Sequence, residues 1–90
     1  MRIQFSNHAL ERMRSRNLTT DQIKEAIKNP DEQFHNQIGT VIHKIQNDDE
    51  SQEQYLLRVF YKEDESKIAI ISAYKTSKIK RYWKGEMNED

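Results

Sequence analysis

His8, Arg12 and Arg16 stand four residues apart in the segment Ser6-Asn7-His8-Ala9-Leu10-Glu11-Arg12-Met13-Arg14-Ser15-Arg16. On a helix this spacing sets one imidazole and two guanidiniums along a single stripe, since residues i and i+4 are surface neighbours. Each step advances the stripe by about 40° at 3.6 residues per turn. The arginines repel each other, and no carboxylate in the stripe relieves them. A phosphodiester would, because guanidiniums fork onto phosphate oxygens. His8 is the candidate acid or base, imidazole being the side chain that titrates nearest neutral pH. The plainer alternative is a boundary histidine bonded to a backbone carbonyl, beside a solvated row of arginines.

A second group closes the chain. In Thr76-Ser77-Lys78 a hydroxyl pair beside an ammonium can hydrogen-bond a phosphate and stabilise developing negative charge. Arg81, Tyr82 and Trp83 follow, and their rings offer a stacking surface for a base. The competing reading is a basic terminus packing its aromatics on the core. Arg58 interrupts an otherwise apolar strand, and a half-buried arginine needs an anion or a carboxylate. On an open sheet face it would meet the same phosphate from the opposite side, although simple strand alternation explains it equally well. His35 and His43 lie in strands with no evident partner. Three histidines without clustered Asp or Glu, and no cysteine at all, give no metal-ligand spacing, so neither a catalytic metal nor a cofactor is expected.

The elements that must position these groups are legible in the hydrophobic periods. Ile3 and Phe5 alternate with polar residues and predict a short strand over 2–5. Ser6 or Asn7 caps a first helix running to about residue 17, with Ala9, Leu10 and Met13 as its narrow apolar side. Thr19 and Gln22 have capping-box spacing, with Leu18 and Ile23 as the hydrophobic staple, and Asn29-Pro30 ends the second helix over 20–28. Beyond Pro30 the period becomes two. Strands are expected over 33–36, 40–46, 55–61 and 67–74, joined by short polar links that suit hairpins. The expected fold is α+β: two N-terminal helices on one face of an antiparallel four-stranded sheet, with the other face open and the basic C-terminal segment on its rim.

Ninety residues make one domain, assigned to 1–85, followed by an acidic tail over 86–90. The net charge is zero, so nothing pulls the whole chain toward nucleic acid. Its distribution is uneven. Residues 1–30 hold six Lys/Arg against three Asp/Glu, residues 31–66 three against nine, and residues 67–90 six against three. Both ends are basic and the middle is acidic, as an anion-binding face built from the two ends would require. No apolar run suits a signal peptide or a membrane span, so a soluble, cytoplasmic protein without membrane partners is expected.

The pattern His8-Ala9-x-x-Arg12-Met13-x-x-Arg16, then Leu18-Thr19, Ile23 and Asn29-Pro30, closely resembles a bacterial family of unknown function regarded as related to the barnase–EndoU–colicin–RelE ribonuclease toxins. Ile71-Ser72-Ala73-Tyr74-x-Thr76-Ser77-Lys78-x-x-Arg81-Tyr82-Trp83 is similar to that family's second motif. The resemblance covers nearly the whole chain. It implies a RelE-like or barnase-like two-layer sandwich, metal-independent RNA cleavage, and work as the toxin of a toxin–antitoxin pair. Carried over residue by residue, it implies that His8, Arg12, Arg16, Thr76, Lys78 and Tyr82 lie near one site, without assigning catalysis to any of them. With the chemistry of the residues added, the expected catalytic set is His8, Arg12, Arg16, Lys78 and Tyr82, with Arg58, Thr76, Ser77 and Arg81 on the RNA. The neutral net charge departs from the strongly basic toxins and weakens nonspecific RNA binding. The expected substrate is RNA, either ribosome-bound mRNA or tRNA, and the expected protein partner is an antitoxin. The rival expectation is a non-catalytic module on the same fold, holding nucleic acid or protein, or pairing an open sheet edge with another chain.

Overall fold

The computed structural model describes residues 2–85; the tail expected at 86–90 lies outside them. In chain order the elements are β1 (Arg2–Phe5), α1 (Asn7–Ser15), α2 (Thr20–Lys28), β2 (Glu32–His35), β3 (Thr40–Asn47), β4 (Gln54–Glu63), β5 (Lys67–Thr76) and the one-turn α3 (Ile79–Tyr82).

Side chains write the helix ends. The Ser6 hydroxyl accepts the Ala9 N–H at 3.0 Å and starts α1. Asn17 ends it in the left-handed region, φ 60°, with the Leu18 N–H on the Met13 carbonyl and the Asn17 N–H on that of Arg14. This pair of bonds is a Schellman ending, and it stops the helix two residues before the expected position. At α2 the Thr19 hydroxyl takes the Gln22 N–H while the Gln22 side chain takes the Thr19 N–H. Both halves of the capping box are formed. Thr19→Ala should therefore cost about 1 kcal/mol of stability, read as a lower urea midpoint at unchanged slope.

The sheet has five strands in the order β1-β5-β4-β3-β2 and is mixed, not the four-stranded antiparallel sheet expected. β2 to β5 form the expected antiparallel meander. The fifth strand is β1, which pairs in parallel with residues 67–70 of β5. Two intervening helices and the whole meander supply the long connection that a parallel pair needs. Among the described residues no strand lies beside the outer edge of β5 beyond Ile70.

α1 lies on β5, and α2 on β3 and β4. Between helices and sheet, Ala9, Met13, Ile23 and Ala26 meet Ile42, Leu57, Val59, Tyr61, Ile68, Ile70 and Ala73. One irregularity sets what β5 presents to each side. Phe60 opposes Ser72 but Tyr61 opposes Ile70, so Ile71 is an extra, bulged residue. The bulge resets the alternation, leaving Ile68, Ile70 and Ala73 all in the core and turning Ser72 and Tyr74 to the other face.

Candidate anion site on the second sheet face

Directly opposed residues of an antiparallel sheet share a face, so the register defines rows across it. Glu32 opposes His43, His43 opposes Arg58, and Arg58 opposes Tyr74. These four side chains form one row across β2, β3, β4 and β5, on the face turned from α1 and α2. They are joined end to end. His43 Nδ1 lies 2.8 Å from Glu32 Oε1, Arg58 Nε lies 2.9 Å from His43 Nε2, and Arg58 Nη1 lies 2.5 Å from the Tyr74 hydroxyl.

The donors decide the proton positions. A guanidinium N–H can only donate, so His43 Nε2 accepts and its ring proton sits on Nδ1, donated to Glu32. Burial pushes the His43 pKa down, the carboxylate contact only partly opposes this, and the Arg58 charge pushes it further down; the net position is below the ordinary value. Burial pushes the Glu32 carboxyl up. The bond from His43 and the N–H groups of Lys84 and Gly85 outweigh burial and hold it below its ordinary value.

Arg58 has no carboxylate partner among the described residues. The ion pairs among the described residues are His43–Glu32 and Lys44–Asp31. Aromatic faces compensate the guanidinium instead: its carbon lies 4.3 Å from the Tyr82 ring centre, 5.0 Å from Phe60 and 5.6 Å from Tyr74. Its second terminal nitrogen makes no hydrogen bond among the described residues. Arg16, just past the end of α1, reaches the same place. It donates to the Ala73 carbonyl on the unpaired edge of β5 at 2.9 Å, and its guanidinium carbon sits 5.8 Å from the Tyr74 ring centre. Two guanidiniums thus touch one tyrosine ring.

The C-terminal segment crosses this face instead of lying on its rim. Tyr82 covers Arg58, the Trp83 ring lies 6.4 Å from His43, and the Lys84 and Gly85 amides hydrogen-bond Glu32. Among the residues expected at the site, Arg16, Arg58 and Tyr82 are brought together. Arg81 is exposed beside Tyr82, at 5.9 Å. Thr76 uses its hydroxyl to accept the Lys78 N–H, and the side chains of Ser77 and Lys78 are exposed without hydrogen bonds among the described residues. His8 and Arg12 are exposed on α1, and their side chains make no hydrogen bond or ion pair among the described residues. Eight residues of helix place His8 about 12 Å along the axis from Arg16.

Glu32, His43 and Tyr74 were not expected at a site, and His43, taken to lack a partner, has two. Their signal is a shared alternation: Glu32-x-Phe34, His43 two after Val41, Arg58-x-Phe60 and Tyr74 two after Ser72 each set a polar or aromatic group on one face. Pairing them across strands requires the register, which no single strand reveals.

Residues 5–80 match the profile of a domain of unknown function, DUF4258. The chain belongs to the DUF4258 family. No curated protein and no solved structure matches it. The span matched to DUF4258 holds the whole Glu32–His43–Arg58–Tyr74 row and Arg16, while Tyr82 and Trp83, which cover the row, lie beyond its end.

Proposed function

We propose that the chain is a metal-independent endoribonuclease acting as a toxin in the cytoplasm, with its RNA strand bound across the face that carries Arg58. The observation that supports this most is the guanidinium of Arg58, half-buried, without a carboxylate partner among the described residues, ringed by Phe60, Tyr74 and Tyr82, and joined at Tyr74 by a second guanidinium from Arg16. A cation held this way is completed by an anion, and rings beside a phosphate site suit unstacked bases.

In the proposed reaction the 2′-hydroxyl attacks the adjacent phosphorus. A base takes its proton as the new P–O bond forms, and an acid returns one to the 5′-oxygen as the old bond breaks. The products are a 2′,3′-cyclic phosphate and a 5′-hydroxyl. Arg58 and Arg16 hold the phosphate and stabilise the added charge of the phosphorane. His8 takes the acid or base role only on an RNA strand that also reaches the first turn of α1, because its ring stands in solvent about 12 Å along the axis from Arg16. His43 does not serve, since both its ring nitrogens are engaged.

That same engagement favours a second reading, in which the face binds RNA without cutting it. Purified chain incubated with RNA in EDTA, with and without ribosomes, separates the two. Cleavage to cyclic-phosphate ends, lost in His8→Ala and Arg16→Ala, supports the nuclease. Intact RNA that still binds, with Arg16→Ala weakening the complex, supports the binding module. Intact RNA without binding removes both.

A further inference from the structure

The row next to Arg58 is apolar. Phe34 opposes Val41, Val41 opposes Phe60, and Phe60 opposes Ser72. At its end the bulged Ile71 and the turn residue Ile38 stand out into solvent, 39% and 70% exposed, and they are the exposed large hydrophobics among the described residues. Both border one hollow of about 120 Å³ whose floor includes Val41 and Phe60. A cavity of about 150 Å³ accommodates a benzene ring, so this one is sized for a single aliphatic side chain. The hollow and the cation share Phe60, whose ring centre lies 5.0 Å from the Arg58 guanidinium carbon.

We propose that the hollow and Arg58 together are a docking surface for an extended acidic segment of a second protein. An apolar side chain of that segment fills the space between Ile38 and Ile71, and a carboxylate two residues along pairs with Arg58. The spacing follows from the protein's own strand: Phe60 and Arg58 are two apart on β4, and side chains two apart on an extended partner project to the same side about 7 Å from each other. The charge follows from Arg58, which has no carboxylate partner among the described residues, with Arg16 adding a second cation beyond Tyr74. The surface deepens the reading above, since it shares Arg58 with the RNA site and its occupant excludes the strand.

The probe is a short acetylated peptide carrying Leu and Glu two residues apart, titrated into the full chain by calorimetry, with Leu-to-Ser and Glu-to-Gln peptides as controls. The expected result is saturable binding, weakened about tenfold or more by Ile71→Ser and by Arg58→Gln, and by either control peptide. Ile71 and Ile38 are exposed, so their serine variants keep the fold, which circular dichroism verifies. Absence of binding, or binding indifferent to Ile71→Ser, overturns the proposal. So does self-association of the chain that Ile38→Ser abolishes, since a second copy would then be the occupant. Binding of a single-stranded oligoribonucleotide should be unchanged by Ile71→Ser and weakened by Arg58→Gln; equal losses assign the hollow to RNA and also overturn it. Failure of RNA cleavage alone removes the nuclease and leaves this surface standing.

Discussion

Arg58→Met should weaken RNA binding and cleavage by about one to two orders of magnitude while leaving a folded chain. Charge-assisted hydrogen bonds contribute about 1.5–3 kcal/mol each, so losing the guanidinium at the phosphate lowers affinity by about one to two orders of magnitude, and more where two nitrogens engage. Stability responds differently. Arg58 is half-buried with no carboxylate partner among the described residues, so only neutral acceptors (His43 Nε2 and the Tyr74 hydroxyl) and aromatic faces offset its desolvation. Methionine removes that cost and packs among the same rings, but leaves His43 Nε2 and the Tyr74 hydroxyl without their donor. Opposed effects of about 1–3 kcal/mol nearly cancel, so the urea midpoint should move by less than the equivalent of about 2 kcal/mol in either direction. Arg58→Lys is the sharper companion. It keeps the charge but not the fork that reaches His43 and Tyr74 together, so it should also fail to restore RNA binding fully. Filter binding in low and moderate salt, set beside urea denaturation of the same samples, checks both halves. A variant that unfolds, or one that binds RNA normally, refutes the placement of the anion at Arg58.

How far the site was legible depends on what kind of signal carried each part. The helix α2 was readable to the residue, because Thr19, Gln22 and Asn29-Pro30 act within a few positions of one another. The strands were readable as strands, and β4 as interior, because Leu56, Leu57, Val59 and Tyr61 bury both sides of it. β1 was seen but not its place: four residues cannot state whether they pair in parallel across two helices. The bulge at Ile71 was the decisive silence. A strict period of two from Ile68 would send Tyr74 into the core and Ala73 outward, whereas the extra residue does the reverse and gives Arg58 its tyrosine. Glu32 and His43 were invisible for a related reason, since they are eleven positions apart and meet only through the β2–β3 register. In the C-terminal motif the hydroxyls and Lys78 read as phosphate ligands and the rings as a stacking surface or a packed terminus; at the row the rings do more than the hydroxyls, since Tyr82 covers Arg58 and Trp83 lies beside His43.

The row should also make the chain acid-sensitive, in a window that two residues define. His43 sits below its ordinary value of 6.5, so between the two the unfolded chain binds a proton that the folded chain refuses. Its contribution is fully present above pH about 6.5 and is lost as pH falls through the folded value. Glu32, below its ordinary 4.5, acts in the same sense further down: its contribution is present above pH about 4.5 and is lost as pH falls through its own folded value. The two windows follow one another, so the urea midpoint should begin to fall just below neutrality and go on falling past pH about 4.5, with no recovery between. Each protonated residue limits the slope to about 1.4 kcal/mol per pH unit. Protonating His43 also puts a proton on Nε2, where Arg58 donates, so the chain of bonds breaks at its centre and Arg58 loses its anchor. Glu32→Gln keeps one oxygen to accept from His43 and Lys84 but sets an NH2 against the exposed Gly85 N–H; it also removes the lower titration, so it should flatten the profile below pH about 4.5 and leave the upper fall in place. Glu32→Ala removes the acceptor of three N–H groups; those of Lys84 and Gly85 lie in exposed residues that water can satisfy, whereas the buried His43 Nδ1–H is orphaned, so the variant should cost about 1–3 kcal/mol at every pH above the window. Nitrogen-15 shifts of the His43 ring give an independent readout, expected to show a proton on Nδ1 and a bare Nε2 at pH 7. A ring that titrates near 6.5, in a chain whose midpoint is level from pH 7 to 5, would show that the row does not hold its histidine neutral.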